Sequence, residues 1–282
     1  MRNTPFSSAL LFLFVCLATC PLAIPGDAAP TPDGLKPLTG VHSHNDYEHR
    51  RPLLDALDQG FCSIEADIYL VDGKLLVAHD RAKAQPDRTL EALYLDPLQQ
   101  RVRANGGRVY KDGPPVYLLI DFKTDAAATY AVLRTVLERY SDMLSKFSDQ
   151  GVVTNAILVV ASGNSPREQV AAEPSRLISI DGRLPDLDRT PCPAPSLVPW
   201  ISENWGTHFK WRGWQEIPAE EWTKLTNIVS RAHAQGRQVR FWGTVDGPAL
   251  WETQRKAGVD FINTDKLAEL RSYMLEHSPA PK

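Results

Sequence analysis

Phe61-Cys62-Ser63-Ile64-Glu65-Ala66-Asp67, carried through Asp72-Gly73 to Val77-Ala78-His79-Asp80, is the stretch whose reading decides the fold. An apolar run of this length, ending in polar residues, reads as a buried strand with chemistry at its tip. Side chains alternate along a strand, so Glu65 and Asp67 share one face. Two carboxylates that close repel each other unless a cation joins them. Asp72-Gly73 is a strong hairpin signal. It predicts a short returning strand over 74–78 that delivers His79-Asp80 beside the two acids. Chemistry gathered at the C-terminal ends of strands is the layout of an α/β barrel.

Working outward, further apolar runs predict strands at 39–44, 115–121, 156–161, 177–181, 197–201, 237–242 and 259–263. Helical patterns lie between them. Thr124 or Asp125 caps one that carries Leu133, Val136, Leu137, Tyr140 and Leu144 on a single face. Pro218 opens another, with Trp222, Leu225, Val229 and Ala232 inward, and Gly236 closes it. Pro248 to Ala257 and Leu267 to Glu276 are two more. Strands alternating with helices call for a parallel sheet. With the strand over 61–67 the runs number eight, which suits a closed (β/α)8 barrel of TIM type in one α/β domain. An open doubly wound sheet fits the same pattern. The stretch 162–215 is the least defined, with few helical signals and many prolines.

The 282 residues suit one such barrel, which commonly uses about 250. Net charge is −3, and there is no basic stripe of the kind a nucleic-acid binder carries. Ala9 to Ala18 is apolar but shorter than the roughly 20 residues that span a bilayer. Arg2 precedes it and small residues follow, so residues 1–28 read as a secretory signal peptide. The expected order is signal 1–28, flexible leader 29–37, barrel 38–277 and flexible tail 278–282, in a secreted or periplasmic monomer. Cys62 and Cys192 make no zinc pattern; export would permit a disulfide between them, and the plainer reading is two unpaired thiols with Cys62 buried.

Other strand ends carry groups that an apolar core would not choose. The first ends in Val41-His42-Ser43-His44-Asn45-Asp46-Tyr47, with His42 and His44 on one face. The third ends in Asp121-Phe122-Lys123. Glu65, Asp67, Asp121 and Asn45 offer oxygen ligands for a hard divalent cation, Mg²⁺ or Ca²⁺. Flanking histidines suit a general base and a general acid. Lys123 can hold a phosphate oxygen as a point charge. Each piece has a plainer reading. E-x-D is frequent by chance, Lys123 can simply pair with Asp121, and His42 can be a hydrogen-bonded core residue. What weighs against coincidence is their order at successive strand ends on compatible faces.

His44, Pro52 to Leu57, Glu65/Asp67, Gly73 and His79-Asp80 together resemble the opening of the glycerophosphodiester phosphodiesterases. Gly258 to Asp265 is similar to that family's last strand, and Phe241-Trp242-Gly243-Thr244-Val245 to its seventh. Two positions depart. Asn45-Asp46 stands where the family has Arg-Gly, and Leu53 where it has Glu. Ser43-His44-Asn45-Asp46-Tyr47 instead resembles phosphoinositide phospholipase C, and Asp121-Phe122-Lys123-Thr124 resembles spider sphingomyelinase D. The whole pattern looks closest to phospholipase-C-like proteins of the altered-inheritance-of-mitochondria type.

The resemblance implies a metal-dependent phosphodiesterase. It implies His44 and His79 as catalytic residues, a cation on Glu65, Asp67, Asp121 and Asn45, and Lys123, Trp242 and His42 at the substrate. The substrate would be a small or phospholipid phosphodiester, reached in part by transient contact with a membrane surface. Trp200, Trp205, Trp211 and Trp214 read either as a membrane-touching or sugar-stacking loop or as core aromatics. Two rivals stand beside this reading. One is a non-catalytic barrel that binds lipid head groups or polyols. The other is a glycoside hydrolase, whose acid and nucleophile normally sit on different strands about 5–10 Å apart.

Overall fold

Residues Val41–Ser43 pair in parallel with both Phe261–Thr264 and Ser63–Val71, so the sheet closes on itself. The computed structural model describes Met1 and residues 34–277. The expected signal peptide beyond Met1, the leader up to residue 33 and the tail 278–282 lie outside the described residues.

In chain order the strands are β1 (Val41–Ser43), β2 (Ser63–Val71), β3 (Lys74–Val77), β4 (Val116–Phe122), β5 (Lys146–Ser148), β6 (Gly151–Val153), β7 (Ile157–Gly163), β8 (Ser175–Arg176), β9 (Ile178–Gly182), β10 (Trp200–Asn204), β11 (Gln238–Trp242) and β12 (Phe261–Thr264). Eight of them, β1, β2, β4, β7, β9, β10, β11 and β12, run parallel around a closed barrel of TIM type. Closure excludes the open doubly wound sheet. β3 folds back antiparallel on the outer half of β2, with Ile68 opposite Val77. The turn between them holds Asp72 at φ 47° and Gly73 at φ 76°. Both values belong to a tight hairpin of the primed kind.

Helices cover the barrel for local reasons. The Asp125 side chain accepts from the Ala128 amide and starts the helix Ala126–Glu138. That helix buries Tyr130, Leu133, Val136 and Leu137. Tyr140 and Leu144, expected on the same helix, lie beyond its end yet remain buried. Pro218 precedes the helix Ala219–Ala234, which buries Leu225, Ile228, Val229 and Ala232. The next, Pro248–Ala257, ends where Gly258 turns left-handed at φ 84°.

The stretch 162–215 holds the end of β7, then β8, β9, β10 and several short helical turns. A small antiparallel sheet, β6-β5-β8, sits outside the barrel and had no counterpart in the sequence reading. Trp205 and Trp211 pack with Phe209 and Phe241 between barrel and helices, while Trp214 is exposed. Inside the barrel, Leu119, Val160, Trp200 and Phe261 form an apolar plug, with Tyr117 packed on it. One step further toward the C-terminal ends, the interior becomes polar.

Candidate active site

The polar half of the interior begins with a buried network. His42 on β1 is fully enclosed: Nδ1 lies 2.7 Å from Ser63 Oγ and Nε2 lies 3.1 Å from Glu65 Oε2. Burial, helped by the Arg240 charge, pulls its pKa down to about 4. It is therefore a neutral imidazole that aims Glu65. The expectation that His42 meets substrate is corrected: it lies beneath the cavity and lines none of it. Arg240 on β11 donates to Glu65 Oε2 at 3.3 Å and to Asn263 Oδ1 at 2.9 Å. Burial alone would raise the Glu65 pKa, but the His42 hydrogen bond and the Arg240 charge hold it well below the usual carboxylate range.

Above this network the two acids of β2 meet the acid of β4. Asp67 and Asp121 stand opposite each other in register. Ligand oxygens of Glu65, Asp67 and Asp121 lie within 4.8 Å of one another. Burial first, then the Glu65 charge, pushes Asp67 up to about 7. Burial likewise raises Asp121. Lys123 spans the pair, 3.1 Å from Asp67 Oδ2 and 3.2 Å from Asp121 Oδ1. Burial would lower the Lys123 pKa, yet these two carboxylates raise it.

This donor set fits a divalent cation. It is all oxygen, it is strained by its own charge, and Asp67 Oδ1 is buried with no hydrogen-bond partner. Gly163 guards the arrangement. It sits at φ +63°, and a Cβ there would fall 2.1 Å from Asp121 Oδ1.

The rim supplies the titratable pair. His44 follows β1, and its Nδ1 lies 2.7 Å from Asp265 Oδ1, past the end of β12. Donating Nδ1–H to Asp265 leaves Nε2 as the working nitrogen. Burial would lower the His44 pKa; the Asp265 hydrogen bond, with the charges of Glu65 and Asp265, raises it instead. His79 arrives on the hairpin with half its side chain exposed.

Tyr47 ties this rim together. Its hydroxyl lies 2.7 Å from Asp67 Oδ2, 2.7 Å from Asn45 Oδ1 and 3.1 Å from His79 Nδ1. Burial and the Asp67 charge keep that phenol protonated. Asn45 itself adopts φ 48°, a left-handed conformation Asn tolerates better than most residues. Beneath it, Asp46 accepts from Ser43, Tyr94 and the Leu53 amide, which anchors the loop.

One cavity of about 450 Å³ gathers His44, Asn45, Glu65, Asp67, His79, Asp121, Lys123 and Trp242. Ser162, Asn164, Arg183 and Arg240 line it too. Those four, with Tyr47 and Asp265, were not singled out as site residues from sequence. Asp265 had a signal, since it ends the last apolar run at the level of His44. Arg240 also had one, sharing a face with Trp242 two residues on. Among the described residues, Cys62 and Cys192 are both free, Cys62 buried and Cys192 exposed.

A family model for the AIM6-like phosphodiesterase domain matches residues 34–181, and one for the glycerophosphoryl diester phosphodiesterase family matches 238–268. Altered inheritance of mitochondria protein 6 of Eremothecium gossypii is 30% identical over 82% of this chain and 68% of its own. A homolog of that protein in Arthroderma benhamiae is 27% identical over 85% of each chain. Among solved structures, a glycerophosphodiester phosphodiesterase from Parabacteroides distasonis superposes with a TM-score of 0.51 at 16% identity, covering 86% of this chain and 100% of that one. At that identity the likeness is one of fold.

Proposed function

The chain belongs to the AIM6-like phosphodiesterase family, and on that premise we propose that it is a cation-dependent phosphoric diester hydrolase with His44 and His79 as its acid–base pair. One observation carries the reading. Three buried or half-buried carboxylates converge with an unpartnered oxygen on Asp67, in the same cavity as two imidazoles. Glu65, Asp67 and Asp121 would hold the cation, with Asn45 as a fourth ligand. When bound, a divalent ion supplies charge compensation at a phosphoryl oxygen and lowers the pKa of a nearby nucleophile.

The chain's own residues do the rest. Asp265 fixes the His44 tautomer, so that Nε2 can accept or return a proton. Tyr47 donates to Asp67 and can accept from His79 Nδ1–H, which leaves the His79 Nε2 for the same work on the other side. One imidazole takes the nucleophile's proton while the other protonates the leaving alkoxide. Trp242 presents an exposed indole at the cavity wall, where it can cover an apolar or sugar-like substituent. The apolar run of residues 9–18 supports export, which would place the substrate outside the cytoplasm.

The test is turnover of bis(p-nitrophenyl) phosphate and glycerophosphodiesters with Mg²⁺ or Ca²⁺, with and without EDTA. Activity should vanish with EDTA, return with the ion, and fall about 10²–10⁴-fold in His44→Ala and in His79→Ala. A folded protein that binds the ion but cleaves no diester would be a head-group-binding barrel instead.

A further inference from the structure

Three cations line the cavity, and they differ in how free they are. Lys123 is held between Asp67 and Asp121. Arg240 is buried against Glu65 and Asn263, with 4% of its side chain accessible. Arg183 keeps 38% of its side chain accessible. It follows β9, which lies four strands from β1 in either direction around the barrel, so it faces His44 across the mouth.

Its position is built from both sides. The Arg183 amide donates to Asp186 Oδ2 at 2.8 Å, and the next amide, Leu184, donates to Glu203 Oε1 at 2.7 Å. Asp186 is itself buried and held by Arg167 at 2.7 Å. On the side chain, Nη1 donates to Asp181 Oδ2 at 2.9 Å and to the Gly182 carbonyl at 2.8 Å. Ser162 donates to the same Asp181 oxygen at 2.9 Å. Nη2, by contrast, makes among the described residues only a long contact of 3.4 Å, to Ser162 Oγ. One edge of a planar fork is thus clamped while the other is left toward the cavity. A guanidinium so arranged can meet two oxygens of a phosphate at once, which an ammonium cannot do.

Charge gives a second reason. The mouth carries Glu65, Asp67, Asp121 and Asp181 against Lys123, Arg183 and Arg240, one carboxylate in excess. A bound divalent ion reverses that balance to a single positive charge, which matches a singly charged diester. β1 supplies no guanidinium here, because Asn45 follows His44.

We infer that Arg183 is the group that binds the non-bridging oxygens of the phosphodiester, with Asp181 as its positioning residue and Lys123 kept to the carboxylates. The inference rests on the phosphodiesterase reading but can fail separately from it. The experiment is calorimetric titration of inorganic phosphate into the full chain with saturating Mg²⁺, beside Arg183→Gln and Arg183→Lys, together with steady-state kinetics on bis(p-nitrophenyl) phosphate. Arg183→Gln should weaken phosphate binding and raise KM about 10- to 100-fold, with kcat and Mg²⁺ affinity within a few-fold of the parent. Arg183→Lys should recover only part, since an ammonium lacks the fork.

Phosphate affinity and KM unchanged in a well-folded Arg183→Gln protein would overturn the inference. So would a drop in Mg²⁺ affinity parallel to a drop in thermal midpoint, which marks a structural role. Phosphate binding that depends on Arg183 in a protein that cleaves no diester would uphold the site and remove the hydrolase reading alone.

Discussion

The two ends of the barrel interior are built by the same strands and behave as opposites. At the lower end Trp200 and Phe261 stand 4.4 Å apart between ring centres, with Tyr117 at 5.0 and 5.3 Å from them. At the upper end the inward positions are Glu65, Asp67, Asp121 and Arg240, each fixed by ion pairs. Along β4 the change from Leu119 to Asp121 takes two residues, about 6.6 Å of strand. The lower end is held by filled volume and tolerates no void. The upper end is held by ion pairs and keeps one buried carboxylate oxygen, Asp67 Oδ1, without a partner. The polar network around His42 separates the two.

The largest effect that would break this contrast is a void at the lower end. Trp200→Ala should cost about 3–5 kcal/mol of stability. Cleavage per folded molecule should persist, because Trp200 does not line the cavity. Chemical denaturation paired with an active-fraction titration checks this; a native-like midpoint, or a folded but inactive protein, would contradict the division of labour.

Next in size is Gly163→Ala at the upper end. The new Cβ meets Asp121 Oδ1 at 2.1 Å and the Phe122 carbonyl at 2.7 Å, in a left-handed residue. Displacing Asp121 should weaken Mg²⁺ binding about 10- to 100-fold, as losses around a metal site commonly do. Stability should change far less than in Trp200→Ala. Cation affinity equal to the parent's would mean that Asp121 is no ligand.

The smallest effect concerns the layer between. The His42 pKa is lowered to about 4 by burial and by Arg240. The unfolded chain therefore binds this proton first, and the stability His42 contributes is present above about 6.5 and lost as pH falls from there through about 4. Between those values the thermal midpoint of the cation-free protein should fall with a shallower slope in His42→Gln than in the parent. Parallel slopes would show that other groups carry the acid sensitivity.

How much of this was legible in the sequence depends on what each residue answers to. Glu65 and Asp67 declared themselves by spacing within one strand, and His79 by the turn before it. The eight barrel strands were legible for the same reason, since burial on both faces leaves an unbroken apolar run. Arg183 was not legible, because its place depends on Asp181, Asp186 and Glu203, and its position across from His44 exists only once the barrel closes. Tyr47 was not legible as a site residue, because only the fold brings Asp67 and His79 to its hydroxyl. His42 misled for the converse reason. It shares a face with His44, yet sits one step deeper, where Ser63 and Glu65 enclose it. The sheet β6-β5-β8 was missed because strands of two or three residues leave no period to read.

Strand parity governs which way the hairpin of β2 and β3 presents His79. His79 stands two residues past β3, in a ladder that continues to the Ala78 amide and the Asp67 carbonyl at 3.3 Å. Consecutive residues in such a ladder point to opposite faces. One residue inserted within β3 itself would turn His79 away from the mouth, whereas two would keep its facing and move it along the strand. The Asp72-Gly73 turn can therefore change in length without losing the imidazole, while an odd insertion in the strand dismantles the pair and leaves the barrel intact.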